Sequence, residues 1–144
     1  TLFSSIGKQN EAFDLLNENL ELFPMNAHFI FEKAKLLVLN NQSKEALLLL
    51  EQISPSILKM PDYYNLMAVA YGKLNLLSKS GAIYQKLLQV NSNNAAYWLG
   101  YALSLEDANS INQAIGAYVH ASEAIDTSPV IVGYAQDRLR VLRG

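Results

Sequence analysis

The residues of this chain that could perform acid–base or metal chemistry are few and scattered. His28 and His120 lie far apart, and neither belongs to a spacing typical of metal ligands. Glu106 and Asp107 are adjacent, so on a helix their carboxyl groups point apart, which does not suit paired-carboxylate catalysis. The chain has no cysteine, and its glycines form no dinucleotide-binding or phosphate-binding loop. We therefore predict no catalytic residue, no metal site and no cofactor.

Composition is that of an ordinary folded domain. Of 144 residues, 51% are apolar and 17% are charged, which leaves ample material for a core. The formal net charge is -2 and no basic cluster lies on one face, so we expect no nucleic-acid partner. No segment is long and apolar enough to span a bilayer, and no signal peptide is visible. Because the chain starts at Thr1 rather than Met, we expect an upstream part that these residues do not show.

Small residues recur with a period of 34 residues. Two series of positions carry them: Ala34, Ala68 and Ala102, and Ala12, Ala46, Ser80 and Ala114. A third series holds residues that tolerate the left-handed conformation closing a helix: Gly7, Asn41, Asn75 and Asn109. A fixed period in this range indicates stacked copies of one supersecondary unit.

Each period contains two helical patterns separated by the Gly or Asn position. In the unit 61–94 the first apolar stripe runs through Tyr64, Met67, Ala68 and Tyr71, and the second through Leu77, Gly81, Tyr84, Leu87 and Leu88. We predict one all-α domain of antiparallel helix pairs over residues 1–144. Its parts are a partial unit (1–26), three full units (27–60, 61–94 and 95–128) and a C-terminal capping helix (129–144). Pro55 should end the second helix of its unit near Ile53 and leave an irregular link over 54–59.

The residues at fixed places in these units resemble the tetratricopeptide repeat (TPR) family. The unit 95–128 matches its pattern with Trp98, Tyr101, Ala102, Leu105, Ala114, Tyr118 and Ala121. Ser92 and Asp126 stand where the family usually has proline. The resemblance implies a right-handed α-solenoid, a superhelix whose first helices line a concave groove. It also implies a non-catalytic scaffold for protein–protein interaction.

By analogy with the family, the second, fifth, ninth, twelfth and thirteenth places of each unit face the groove. The candidate protein-binding residues are Phe31, Lys35, Val38, Asn65, Val69, Lys73, Leu99, Leu103 and Glu106. The expected groove is apolar along its length, with Lys35 and Lys73 toward one end and Glu106 and Asp107 toward the other. Such a surface suits a peptide or protein segment with apolar anchors.

Several short strings resemble the C-terminal repeat domain of bacterial proteins for mannose-sensitive haemagglutinin (MSHA) pilus biogenesis, a type IV pilus system. They are Pro61-Asp62-Tyr63-Tyr64, Leu87-Leu88-Gln89-Val90-Asn91, Tyr97-Trp98-Leu99-Gly100 and Tyr134-Ala135-Gln136-Asp137-Arg138-Leu139. The resemblance implies an envelope scaffold on the periplasmic side of the inner membrane, held by an upstream anchor. Two alternatives stay open. One is a cytoplasmic TPR adaptor. The other is a self-associating module in which an apolar N-terminal edge of Leu2, Phe3 and Ile6 seeds homo-oligomers.

Overall fold

In a computed structural model of the chain, the backbone is described for residues 2–144 and the side chains for residues 5–144. These residues form eight α-helices and no strand. The helices are α1 (Leu2–Leu22), α2 (Ala27–Leu39), α3 (Ser43–Leu50), α4 (Pro61–Lys73), α5 (Leu77–Val90), α6 (Ala95–Asp107), α7 (Ile111–Glu123) and α8 (Pro129–Arg143). The starts of α2, α4, α6 and α8 follow the 34-residue period, and so do the starts of α3, α5 and α7.

The helices stack so that each one packs on the next along the chain. The first helices of neighbouring pairs also contact each other, through α2 with α4, α4 with α6 and α6 with α8. Within residues 27–144, by contrast, the second helices α3, α5 and α7 do not reach one another. The array therefore curves with α2, α4 and α6 on its inner side, and their exposed faces are called the inner surface below. This architecture confirms the predicted all-α solenoid of helix pairs.

The turns inside the three full units share one backbone motif. Asn41, Asn75 and Asn109 have φ angles of 62°, 61° and 62°, all in the left-handed region. In each turn, the following residue donates its N–H to a carbonyl five residues back, as Gln42 does to Leu37 at 2.8 Å. This closure satisfies the last carbonyls of the first helix and reverses the chain. The asparagine prediction is confirmed.

Gly7, the fourth member of that series, does not form a turn. It lies inside α1, which is continuous from Leu2 to Leu22. A continuous helix pairs more backbone groups than a turn at Gly7 would. The prediction of a break at Gly7 was wrong.

The second helix of the first full unit is the irregular one. α3 ends at Leu50, three residues before the predicted end near Ile53. The helix α5 ends at Val90, and the matching position one period earlier lies six residues beyond Leu50. Tyrosine hydroxyls from α4 bind groups of the link that follows. The Tyr63 hydroxyl donates to the Leu50 carbonyl at 2.6 Å, and that of Tyr64 donates to the Pro55 carbonyl at 2.6 Å. The Tyr71 hydroxyl donates to Glu51. The bond to the Leu50 carbonyl pairs a group that a longer α3 would have paired within the helix.

The small residues that recur with the 34-residue period lie in the interfaces between helices. Ala68, Ala102 and Ala114 are fully buried, and Ser80 is 1% exposed. Small residues at these places allow neighbouring helices to approach closely, while the tyrosines beside them fill the remaining space. The chain therefore stacks its helices by pairing small residues with large ones.

Side chains at the starts of the helices complete the backbone pairing. Asn26 and Asn94 accept the N–H of Phe29 and Tyr97, both at 3.0 Å, at the starts of α2 and α6. Asp126 accepts the N–H of Ala95 at 2.7 Å. Asp126 stands at a place where the TPR family usually has proline. Its carboxylate caps the start of α6 although it is 31 residues away in the sequence.

Candidate functional site

A pocket of about 240 Å³ opens on the inner surface between α4 and α6. Its walls and floor come from α4, α5 and α6. The lining residues are Ala68, Val69, Gly72, Lys73, Leu77, Ser80, Tyr84, Gly100, Leu103, Ser104 and Asp107. Three of the candidate residues, Val69, Lys73 and Leu103, therefore come together around one cavity, which is called the groove pocket below.

Tyr84 reaches the floor of the groove pocket from the second helix α5. Its ring lies against the backbone of Gly100 in α6, and a Cβ built on Gly100 would stand 2.3 Å from the Tyr84 Cζ atom. Only glycine leaves room for the ring at this point. Tyr84 is 5% exposed, and burial raises the pKa of its hydroxyl to about 12. The hydroxyl therefore stays neutral at physiological pH and can donate a hydrogen bond.

A pair of buried serines forms the rest of the polar floor. The Ser80 hydroxyl donates to the Ala68 carbonyl at 2.8 Å, and it lies 3.0 Å from the Ser104 hydroxyl. These bonds join α4, α5 and α6 at one level of the array. Because the serines are satisfied internally, the polar floor does not require a charged ligand.

The rim of the groove pocket carries one charge of each sign. Lys73 ends α4 and Asp107 ends α6, and both side chains are exposed. Val69, Leu77 and Leu103 supply the apolar walls between them. The volume is below the range of ordinary small-molecule pockets and suits one or two side chains of a bound peptide. Within the described residues, no group of three or more His, Asp or Glu side chains is placed to hold a metal ion.

A second, smaller depression of about 180 Å³ lies between the starts of α2 and α4. Phe31 is its predicted member, and His28 and Asp62 also line it. Lys35 lies beside it on α2 and is engaged within its own helix. Its Nζ atom is 3.4 Å from Glu32 and 5.5 Å from the centre of the Phe31 ring.

Two candidate residues do not face the groove. Val38 is 5% exposed and packs in the core with Ala70 of α4. Glu106 accepts hydrogen bonds from Arg138 of α8 and, at 2.8 Å, from the Tyr118 hydroxyl. The Arg138 guanidinium holds the pKa of Glu106 below its ordinary value. Both residues stand at the twelfth place of a unit, where the side chain faces the first helix of the following unit.

The remaining candidates lie outside both cavities. Asn65 and Leu99 are half-buried and line neither the groove pocket nor the depression between α2 and α4. Leu99 packs instead on the core formed by α6, α7 and α8. At the N-terminal edge, Ile6 is 47% exposed, whereas the side chains of Leu2 and Phe3 are outside the described residues.

Sequence reasoning missed the polar floor and the exposed apolar side chains of α8. The sequence places Tyr84 in the apolar stripe of its helix, and nothing local shows that its side chain lines a cavity between the neighbouring helices α4 and α6. Val130, Tyr134 and Val141 of α8 are 81%, 44% and 63% exposed. They lie one period after positions on the inner face of α6, so the 34-residue register was the signal that could have found them.

Solved structures with the same fold place this architecture among helical repeat proteins. MamA superposes with a TM-score of 0.76 at 14% identity, covering 96% of this chain and 84% of MamA. TTC0263, described as a thermophilic TPR protein of Thermus thermophilus, superposes with a TM-score of 0.72 at 17% sequence identity, covering 99% of this chain and 78% of TTC0263. BtubC (BKLC) from P. vanneervenii superposes with a TM-score of 0.66 at 17% sequence identity, covering 99% of this chain and 65% of BtubC. No protein-family model and no curated protein sequence matches the chain.

The fold and the inner surface together define the class of the protein. It has the fold of a TPR-like α-solenoid. Across residues 2–144, no helix combines the length and the apolar character that crossing a membrane would need.

Proposed function

We propose that this chain is a non-catalytic scaffold that binds an extended or helical segment of a protein partner along its inner surface. The observation that supports the proposal is the groove pocket, where Val69, Leu103 and Tyr84 combine apolar walls with a neutral donor. Peptide-binding grooves commonly pair apolar anchor sites with a few placed polar groups.

The groove pocket suggests how a peptide is held. An apolar anchor side chain fits between Val69 and Leu103, and a carbonyl beside it accepts from the Tyr84 hydroxyl. Lys73 and Asp107 then favour an acidic residue on one side of the anchor and a basic residue on the other. Opposite charges at the two ends of a site fix the direction of a bound segment more than they add affinity.

We also propose a cellular setting, the assembly machinery of a bacterial type IV pilus of the MSHA kind. The support is the resemblance of the strings around Tyr63, Trp98 and Tyr134 to that group of proteins. The setting implies a periplasmic location and an upstream membrane anchor. A cytoplasmic adaptor is the competing setting, and both use the same inner surface.

Site-specific photo-crosslinking in the cells that naturally make the protein tests the binding surface. A photoreactive residue replaces Leu103 in the groove pocket, and a control replaces Leu48, which is 63% exposed on α3. We expect a discrete partner to be captured from position 103 and not from position 48. Capture of the same set of proteins from both positions would refute binding at the inner surface.

The matched substitutions Leu103→Asp and Leu48→Asp extend the test. Both side chains are exposed, so both variants should fold, but only Leu103→Asp should release the partner. Loss of folding in Leu103→Asp would place Leu103 in the core. Mass spectrometry of the captured partner decides the setting, because recovery of cytosolic chaperones alone would reject the pilus proposal.

A further inference from the structure

Another pocket opens between α4 and α5, on a face of α4 that does not line the groove pocket. Its volume is about 290 Å³, and it shares no residue with the groove pocket. It is called the lateral pocket below, and its lining residues are Tyr64, Met67, Tyr71, Lys79, Ala82, Ile83 and Lys86. Within each helix these residues lie three, four or seven positions after the first one, so they form the two walls of a groove that runs along both helices.

The next unit shows a helix packed over the equivalent face. Tyr101 of α6 stands one period after Met67, and it is covered by α5, the preceding second helix. A Cβ built on Gly81 of α5 would stand 3.8 Å from the Tyr101 Cε1 atom, which is ordinary contact. One turn further along α5, the Gln85 side chain donates to the Tyr101 hydroxyl at 2.8 Å. A helix is therefore the kind of element that this face accepts.

The unit 61–94 has less cover on this face because α3 ends at Leu50. No helix forms in the link between α3 and α4, and no residue of the link lines the lateral pocket. In the next unit, Trp98 stands at the place of Tyr64, and its ring stacks on His120 of α7 with 4.2 Å between the ring centres. Lys86 stands at the place of His120. The lateral pocket is thus an opening inside the array, with α3 before it and α6 after it.

Two lysines of α5 give the lateral pocket a positive rim. Lys79 and Lys86 are exposed, and neither forms an ion pair with any residue of the range 5–144. The Lys79 Nζ atom lies 5.5 Å from the centre of the Tyr71 ring. Glu51 accepts the Tyr71 hydroxyl, but no carboxylate is among the lining residues. Because the lysines are seven residues apart on one helix, about 10 Å separates them along its axis. An occupant with carboxylates at that spacing can pair with both.

We propose that the lateral pocket binds a short acidic helix of a partner protein. Apolar side chains on one face of that helix enter the pocket, and Asp or Glu residues beside them pair with Lys79 and Lys86. Two turns are enough to span the walls, which extend over about 10 Å. The bound helix takes on α4 the position that α5 has on α6. This inference goes beyond the proposed function, because it uses a separate surface and leaves the groove pocket free.

Fluorescence anisotropy of a labelled synthetic peptide, titrated with the 144-residue chain, tests the proposal. The probe is an amphipathic peptide of about 15 residues with leucines at i, i+3, i+4 and i+7 and glutamates on both sides of that stripe. We expect it to bind, and to bind more weakly as salt is raised. A peptide with lysine in place of every glutamate should bind about 10-fold more weakly or worse. A central proline in the acidic peptide should abolish binding, because it breaks the helix.

Variants of the chain locate the contact. Lys79→Glu/Lys86→Glu should weaken binding of the acidic peptide by about 10-fold or more and strengthen binding of the basic peptide. Lys8→Glu/Lys59→Glu reverses two exposed lysines outside the lateral pocket and should leave both affinities unchanged. Circular dichroism of each variant confirms that it folds.

A second pair of variants tests the apolar part of the contact. Ala82→Trp fills the lateral pocket and should abolish binding, whereas Gly116→Trp, at the same place one period later, should not; both positions are exposed.

Three results would overturn the proposal. The first is an acidic peptide that does not bind, or that binds no better than the basic one. The second is loss of binding in Leu103→Asp with full binding in Lys79→Glu/Lys86→Glu, which would place the peptide in the groove pocket. The third is binding of phosphatidylserine vesicles through the two lysines without binding of the acidic peptide, which would assign the lateral pocket to a membrane surface.

Discussion

Replacing Gly100 by alanine tests whether Tyr84 is held against the α6 backbone as the structure has it. In an exposed helix interior, the change from glycine to alanine stabilises a protein by about 0.5–1 kcal/mol. At Gly100, however, the new Cβ would stand 2.3 Å from Cζ and 2.5 Å from Cε1 of Tyr84. Carbon atoms in contact are normally about 3.5–4.0 Å apart, so the ring must withdraw by about 1 Å.

The free-energy cost of moving the Tyr84 ring decides whether Gly100→Ala stabilises or destabilises the fold. Tyr84 is 5% exposed and packs with Ala68, Leu87 and Tyr97, so neighbouring side chains hold most of the ring in place. Overpacking of a filled interior costs about 1–3 kcal/mol. After the gain of about 0.5–1 kcal/mol in helix propensity is subtracted, Gly100→Ala should destabilise the fold by up to about 2.5 kcal/mol.

Urea unfolding followed by circular dichroism measures this difference, and Gly116 supplies a matched control. Gly116 lies inside α7, and a Cβ there would have no neighbour within 4 Å. Gly116→Ala should therefore stabilise the fold by about 0.5–1 kcal/mol. If Gly100→Ala stabilises the fold to the same extent, Tyr84 does not occupy the space beside Gly100.

A double-mutant cycle with Tyr84→Leu makes the test specific to that contact. The shorter leucine removes the distal ring atoms that the new Cβ would meet. Gly100→Ala should therefore cost less in the Tyr84→Leu background than in the wild type. Additive free energies of unfolding would show that the cost arises elsewhere in α6.

Three further predictions concern the contacts that hold the array together. Ala102→Leu should destabilise by about 1–3 kcal/mol, because Ala102 is fully buried between helices; an unchanged thermal midpoint would contradict the assigned register. Asp126→Ala should cost about 0.5–2 kcal/mol in urea unfolding, since it leaves the N–H of Ala95 without its acceptor; Asp126→Asn should recover part of the loss. Arg138 holds the pKa of Glu106 below its ordinary value of 4.5, so this carboxylate stabilises the fold above that pH and the contribution is lost as the pH falls through the lowered pKa. Glu106→Gln should therefore lower the free energy of unfolding at neutral pH, and its unfolding curves at a series of pH values should show a smaller loss of stability in acid than those of the wild type. A loss of stability in acid as large as that of the wild type would show that other groups cause it.

The 34-residue period was enough to predict the helix pairs and the asparagine turns, because both depend on local residue types repeated in register. It was not enough at Gly7, where the same place in the period lies inside a continuous helix. A left-handed turn also needs two helices that pack across it, and the identity of one residue does not decide this. A residue that permits a turn does not by itself create one.

The candidate site was predictable in part, for a similar reason. The period assigns each residue to a face of its helix, and this placed Val69, Lys73 and Leu103 around one cavity. It does not say how far the neighbouring helix covers that face. Val38 is covered by α4, and Glu106 is engaged by Arg138 of α8, so neither side chain faces the groove.

The tyrosines show why the polar part of the site was out of reach. Tyr63 binds the Leu50 carbonyl at the early end of α3, whereas Tyr84 supplies the floor of the groove pocket. The sequence places Tyr84 in the apolar stripe of its helix, and its ring does pack there. The partner of the Tyr63 hydroxyl lies in another helix, at the point where α3 ends. A pattern of apolar residues carries no information about such distant acceptors.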